Sequence, residues 1–273
     1  MPQVVPCAVV LLTLVSPVLV RADEAETKAV KRVEQLGGQV QRDPFAPKRP
    51  VTSVWLLGSK ATDDDLKEMA VLTGLQSLAL PNAPVTDEGL KHLSAFPDLS
   101  SLAVGGTKIT DTGVKEIVKL KRLQVLQIEH VALTDAGLKE LTALAKLNCL
   151  CLGSTKLTDA GLKELRAFKE LTWLQLDGTE ITDAGLKELA ALKGLEKLSL
   201  SFTKVTDAGL KDLAPLKNLK ELHLADTGVT DAGLHELAAL KTLTYVNLGF
   251  CKKVTDAGIN RLKLELPKCT VSK

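Results

Sequence analysis

The sequence predicts an α/β solenoid: strand–helix coils stacked into a right-handed superhelix, with a parallel sheet on the concave side and short helices on the convex side. Three observations carry that reading. Thr-Asp recurs at Thr62, Thr86, Thr110, Thr134, Thr158, Thr182, Thr206, Thr230 and Thr255, at seven intervals of 24 residues and one of 25. Each interval holds two hydrophobic periods in turn. No copy alone can bury its leucines, whereas stacked copies cover one another.

The two periods place the elements. In Leu171-Thr172-Trp173-Leu174-Gln175-Leu176 the apolar residues alternate, which is a strand signal, and Thr179 follows. Leu195, Leu198, Leu200 and Thr203 form the next copy. Leu186, Leu189 and Leu192 then recur every third residue, the mark of a short helix. Thr182 is placed to cap that helix through its hydroxyl. Asp183 puts negative charge where the helix dipole favours it. Gly185 has no side chain, as close approach between neighbouring coils would require. Helices about 10 Å wide against strands about 4.8 Å apart bend the stack into a horseshoe.

These copies resemble the leucine-rich-repeat family. Leu147-Asn148-Cys149-Leu150-Cys151-Leu152 and Leu219-Lys220-Glu221-Leu222-His223-Leu224 match its strand signature, and nine in-phase copies cover residues 51 to 262. The family's buried ladder position is usually Asn or Cys. Here it is mostly Thr (Thr107, Thr155, Thr179, Thr203, Thr227), with Cys251 once. A Thr hydroxyl can still satisfy backbone groups in the loop. The last copy, from Cys251 to Gly258, resembles the cysteine-containing repeats of F-box substrate receptors. Nothing before residue 51 resembles an F-box, so ubiquitin-ligase function is not carried over.

The ends complete the plan. Val4 to Val20 is 17 largely apolar residues containing Pro6 and Pro17, short for a membrane span, and Val20-Arg21-Ala22 suits signal-peptidase cleavage. Residues 1–22 read as a secretory signal peptide, giving a secreted or periplasmic product without a stable membrane span. The Met1-Pro2-Gln3 start lacks Lys and Arg, which leaves an uncleaved anchor as the alternative. Residues 23–50 form an N-terminal cap. Its helix runs from about Glu24 to Leu36 on a face of Ala29, Val30, Val33 and Leu36, and stops at Gly37-Gly38. Val40 starts a capping strand, residues 43–50 connect it onward, and Val51 to Leu56 is the first repeat strand. Residues 263–273 leave the repeat and form a C-terminal cap.

Composition excludes several jobs. Thirty-five Lys and Arg against 33 Asp and Glu give a net charge of +2, and aromatics are 3%. That balance argues against a polyanion binder, and the aromatics are too few for a stacking platform on single-stranded nucleic acid. No phosphate loop, HExxH motif or dinucleotide fingerprint occurs. No cofactor, metal or nucleic acid is implied.

Function should lie where the copies differ, on the concave strand face. Ser77, Ala79, Pro81, Ser101, Ala103 and Gly105 make it small and bland early in the chain. Later copies are richer: Gln127, Glu129 and His130, then the candidate ligand-binding set. That set is Trp173, Gln175, Asp177, Lys197, Phe202, Glu221, His223, Asp226, Tyr245 and Asn247. Both tryptophans, Trp55 and Trp173, and the one tyrosine, Tyr245, fall on this face. Aromatics interspersed with polar groups suit a protein hot spot. The implied role is a non-enzymatic module that recognises a protein or peptide. A glycan-binding module and a structural cell-envelope repeat protein are the alternatives. A Ser199, His223, Asp226 arrangement has no nucleophile elbow or oxyanion hole to support catalysis. Cys149 and Cys151 should both face the concave side as small half-exposed residues, badly placed to bridge. Cys251 and Cys269 read as core residues, with a bridge between them left open.

Overall fold

The computed structural model describes residues 17–46 and 48–273. Most of the expected signal segment, residues 1–16, lies outside the described residues. Helix α1 (Pro17–Gln35) extends seven residues upstream of the expected start. Pro17 occupies the first helical position, where a missing N–H costs no hydrogen bond. No described helix is long and apolar enough to cross a membrane.

Eleven strands form one sheet in chain order. β1 (Gln39–Arg42) pairs antiparallel with β2 (Val51–Trp55), with a bulge between Gln41 and Arg42. β3 (Ser77–Ala79), β4 (Ser101–Ala103), β5 (Val125–Gln127), β6 (Cys149–Cys151), β7 (Trp173–Gln175), β8 (Lys197–Ser199), β9 (Glu221–His223), β10 (Tyr245–Asn247) and β11 (Thr270–Ser272) follow in parallel. Register is in phase with the repeat: Ser77 pairs with Ser101, Leu150 with Leu174, and Ser199 with His223.

The convex side carries α2 (Asp63–Met69), α3 (Asp87–Leu90), α4 (Asp111–Ile117), α5 (Asp135–Leu141), α6 (Asp159–Leu162), α7 (Asp183–Leu189), α8 (Asp207–Leu210), α9 (Asp231–Leu237) and α10 (Asp256–Glu265). The core lies between the two layers as continuous columns. Leu126, Leu150, Leu174, Leu198 and Leu222 of successive strands are each 0% exposed. A fully buried leucine contributes about 2 kcal/mol, so the stack gains stability coil by coil.

The Thr-Asp pair does more than start a helix. Thr182 caps α7 as its position suggests, accepting the Ala184 amide at 3.2 Å. Its own amide and hydroxyl then donate to the two carboxylate oxygens of Asp159, one coil back, at 2.8 and 2.6 Å. The same pair of hydrogen bonds joins Asp63 to Thr86, Asp111 to Thr134 and Asp207 to Thr230. Each coil is thereby stapled to the next. Gly185 lies against this staple: a Cβ there would sit 2.4 Å from the Asp159 Oδ1. The ladder threonines face inward, Thr179 donating to the Leu176 carbonyl at 2.6 Å. Cys251 replaces one of them and donates to the Leu224 carbonyl at 3.1 Å.

The N-terminal end is covered by α1. Ala29 and Val33 are buried there, with Val30 and Leu36 packed against the same core. Arg32 donates to the Asp65 carboxylate of α2 at 2.6 Å. Burial alone would raise the Asp65 carboxyl, but the guanidinium and two hydrogen bonds from Thr62 outweigh it and hold the group below the usual carboxylate range.

Candidate ligand-binding face

Side chains flanking each inward leucine point to the concave face, and the in-phase register aligns them in rows across the sheet. One row runs Cys149, Trp173, Lys197, Glu221, Tyr245. The next runs Cys151, Gln175, Ser199, His223, Asn247. Asp177, Phe202 and Asp226 lie just beyond the strand ends. The ten candidate residues therefore occupy one contiguous surface.

That surface is internally wired. Lys197 and Glu221 form an ion pair at 2.8 Å. The His223 and Tyr245 rings lie 5.4 Å apart, tilted by 53°. Asp177 accepts from Ser199 Oγ at 2.5 Å, from the Ser201 amide at 2.8 Å and from Gln175 Nε2 at 2.9 Å. Asn247 accepts the Gly249 amide at 2.9 Å. Ser199 is thus committed to Asp177, although His223 is its neighbour across the sheet. The arrangement offers a polar surface with fixed hydrogen-bonding directions.

Beyond the strands, every coil turns through one residue with positive φ. The series is Gly58, Asn82, Gly106, His130, Ser154, Gly178, Phe202, Asp226 and Phe250. Gly and Asn accept this conformation readily, whereas a bulky residue there is strained. The turn is held because its amide bonds to the next coil: Phe202 N–H donates to the Ala225 carbonyl, and Asp226 N–H to Gly249, both at 2.8 Å. Phe202 and Phe250 nonetheless keep φ of +59° and +62°, and their side chains are 58% and 76% exposed. Two aromatic rings are presented to solvent at positions where the backbone favours glycine.

The early, bland half of the face holds a hollow of about 500 Å³. Ser77, Ala79, Ser101 and Ala103 are its floor. Trp55, Leu57 and Pro81 form one wall, and Gln127, Glu129, His130, Gln175 and Asp177 the other. The small side chains read as featureless are what make room between the walls. A run of small residues in register, bounded by Trp55 and Glu129, was the available signal. No Lys or Arg lines the hollow, and Glu129 and Asp177 do. Burial raises the Glu129 carboxyl above its usual range; its own backbone amide and His130 oppose this, and the Asp177 charge adds to it.

Cys149 and Cys151 do face the concave side, but they are buried at 6% and 1% exposure rather than half-exposed. Register explains the difference. Val125 and Trp173 flank Cys149, while Gln127 and Gln175 flank Cys151. Larger neighbours on both sides shelter the small thiols. Their sulfurs are 4.0 Å apart. Cys251 and Cys269 are buried in the core, and the four described cysteines are all free.

A family model described as a leucine-rich repeat region matches residues 74–262. The chain belongs to the leucine-rich-repeat family. Among solved structures, this leucine-rich-repeat chain is similar to internalin C2 of Listeria monocytogenes, with 24% identity over 82% of this chain and 92% of that one, at a TM-score of 0.61. An internalin F of the same organism gives 20% identity over 76% of this chain and 69% of that one, at a TM-score of 0.55. A leucine-rich-repeat protein of Leptospira interrogans gives 26% identity over 76% of this chain and 57% of that one, at a TM-score of 0.59. A search of the curated proteins finds no significant match. The leucine-rich-repeat fold supports a protein-interaction module in general.

Proposed function

We propose that this protein binds a protein or peptide ligand through its concave face, without catalysis. The contacts would centre on Trp173, Lys197, Phe202, Glu221, His223 and Tyr245. The exposed rings of Phe202 and Phe250 at strained turn positions carry the reading. Strain of this kind persists where the side chain has a use that outweighs it. Aromatic anchors bordered by satisfied polar groups match the anatomy of protein hot spots. The hollow would receive a side chain or terminus of the ligand, and its carboxylates favour a basic one.

A glycan ligand is the second reading. It is favoured by Trp55 standing over a hollow edged with Gln127, Gln175 and Asp177, since a flat ring and amide or carboxylate groups also suit sugars.

Panning of a displayed random-peptide library tests the first reading, with the full chain as bait. A Trp173→Ala/Phe202→Ala/Tyr245→Ala variant serves as the comparison. Peptides enriched by the wild type and lost by the variant, at unchanged melting temperature, would support the concave site. Equal enrichment on both baits would move the site elsewhere. No enriched peptide, together with a sugar retained on a glycan array, would favour the second reading.

A further inference from the structure

We propose that Cys149 and Cys151 form a chelating dithiolate site for a soft, thiophilic metal ion of low coordination number, of the monovalent copper or silver class. The site borders the hollow proposed above to receive a group of the ligand.

The two residues are neighbours but one on β6, so the pleat sends both side chains to the same face. Their sulfurs lie 4.0 Å apart, about twice the length of a disulfide bond of roughly 2.05 Å. A metal ion fits the gap better than a bond does. Two metal–sulfur bonds of about 2.3 Å would subtend an angle of about 120° across that distance.

The surroundings narrow the choice of ion. Among the described residues, no group of three or more His, Cys, Asp or Glu is arranged to hold a metal. Zinc sites usually assemble four donors, so two sulfurs suit an ion content with two or three ligands. Soft thiolates select such ions over Mg²⁺ or Ca²⁺. The hollow beside the thiols carries the Glu129 and Asp177 carboxylates and no Lys or Arg. A cation is drawn to it, and Gln127 and Gln175, which line the hollow, flank Cys151 across the sheet.

The two sulfurs are in direct contact, so one ion can reach both. Binding forms two metal–sulfur bonds, releases two thiol protons to water and changes no oxidation state.

The test is titration of the reduced, metal-free full chain with Ag(I), and with Cu(I) under anaerobic conditions against a competing chelator. Native mass spectrometry reads the stoichiometry, ultraviolet absorption reads sulfur-to-metal charge transfer, and X-ray absorption reads the donor atoms. One ion per chain is expected, bound by two sulfurs and lost in Cys149→Ala/Cys151→Ala. No bound ion, coordination by nitrogen or oxygen alone, or undiminished binding by the double variant would overturn the site. Should that variant fold poorly, the single variants Cys149→Ser and Cys151→Ser decide. Each should leave fewer than two sulfur donors in the X-ray absorption spectrum, and an unchanged sulfur count in both would overturn the site.

Discussion

Phe250 offers a sign test of the backbone geometry that organises the face. Its φ is +62°, and its side chain is 76% exposed. Phe250→Ala and Phe250→Gly both remove the ring, so whatever packing it makes is lost equally. They differ in the backbone alone. In the left-handed region a Cβ costs roughly 1–2 kcal/mol. Glycine avoids that cost, but its more flexible unfolded chain forfeits about 0.5–1 kcal/mol. The glycine variant should therefore be the more stable by about 0.5–1 kcal/mol. For a chain of this size that is a rise of roughly 1–4 °C in melting temperature. On an ordinary helix the order reverses, and Lys187 of α7 provides that control: Lys187→Ala should exceed Lys187→Gly by about 1 kcal/mol. Thermal and urea unfolding of the four variants make the comparison. An alanine variant at 250 that matches or exceeds the glycine one would refute the left-handed turn, and with it the argument from strain.

The coil-to-coil staple and the N-terminal cap give further predictions. Gly185→Ala should cost roughly 3 kcal/mol, because its Cβ would meet the Asp159 Oδ1 at 2.4 Å and disturb a carboxylate that accepts two bonds from Thr182. Urea unfolding checks it, and a change under 1 kcal/mol would show that the coils slide apart without penalty. Asp65 has a depressed folded pKa, so its contribution is complete above the unfolded value of about 3.9 and is lost as pH falls through the folded value. Hydrogen exchange in α1 should stay slow until pH drops below about 4, given that reference value. Arg32→Gln should move the loss to higher pH, since burial then acts on Asp65 with less opposition. Identical pH profiles for wild type and variant would contradict this account of how the cap is held.

The stack was legible because its determinants repeat. Leucine alternation in Leu174-Gln175-Leu176 marks a strand, and Thr182 sits where a cap must be, so local chemistry placed both elements. The role of Asp159 was only half visible. Its position at a helix start suggests a dipole effect, but the partner that occupies its carboxylate, Thr182, is 23 residues away and one coil over. The hollow escaped notice because it consists of side chains that are too small, and emptiness has no residue type. The turn geometry escaped because Phe202 and Phe250 are poor left-handed residues. Only the phase they share with Gly58, Gly106 and Gly178 betrays it. The burial of Cys149 and Cys151 depends on which residues flank them across the sheet, and that is fixed by register. The adjacency of the candidate residues was within reach, since equal spacing in a repeat becomes adjacency on a sheet.

The central claim is that the concave face, and not the helical face, meets the ligand. Site-directed photo-crosslinking tests it most directly. A photoreactive phenylalanine analogue would replace Phe202 on the concave rim in one variant and Lys187 on the convex helices in another, each in the full chain within the cells that produce it. The account predicts a discrete crosslinked product from position 202, absent from position 187 and competed by untagged wild-type protein. A product from position 187, with none from position 202, would contradict it.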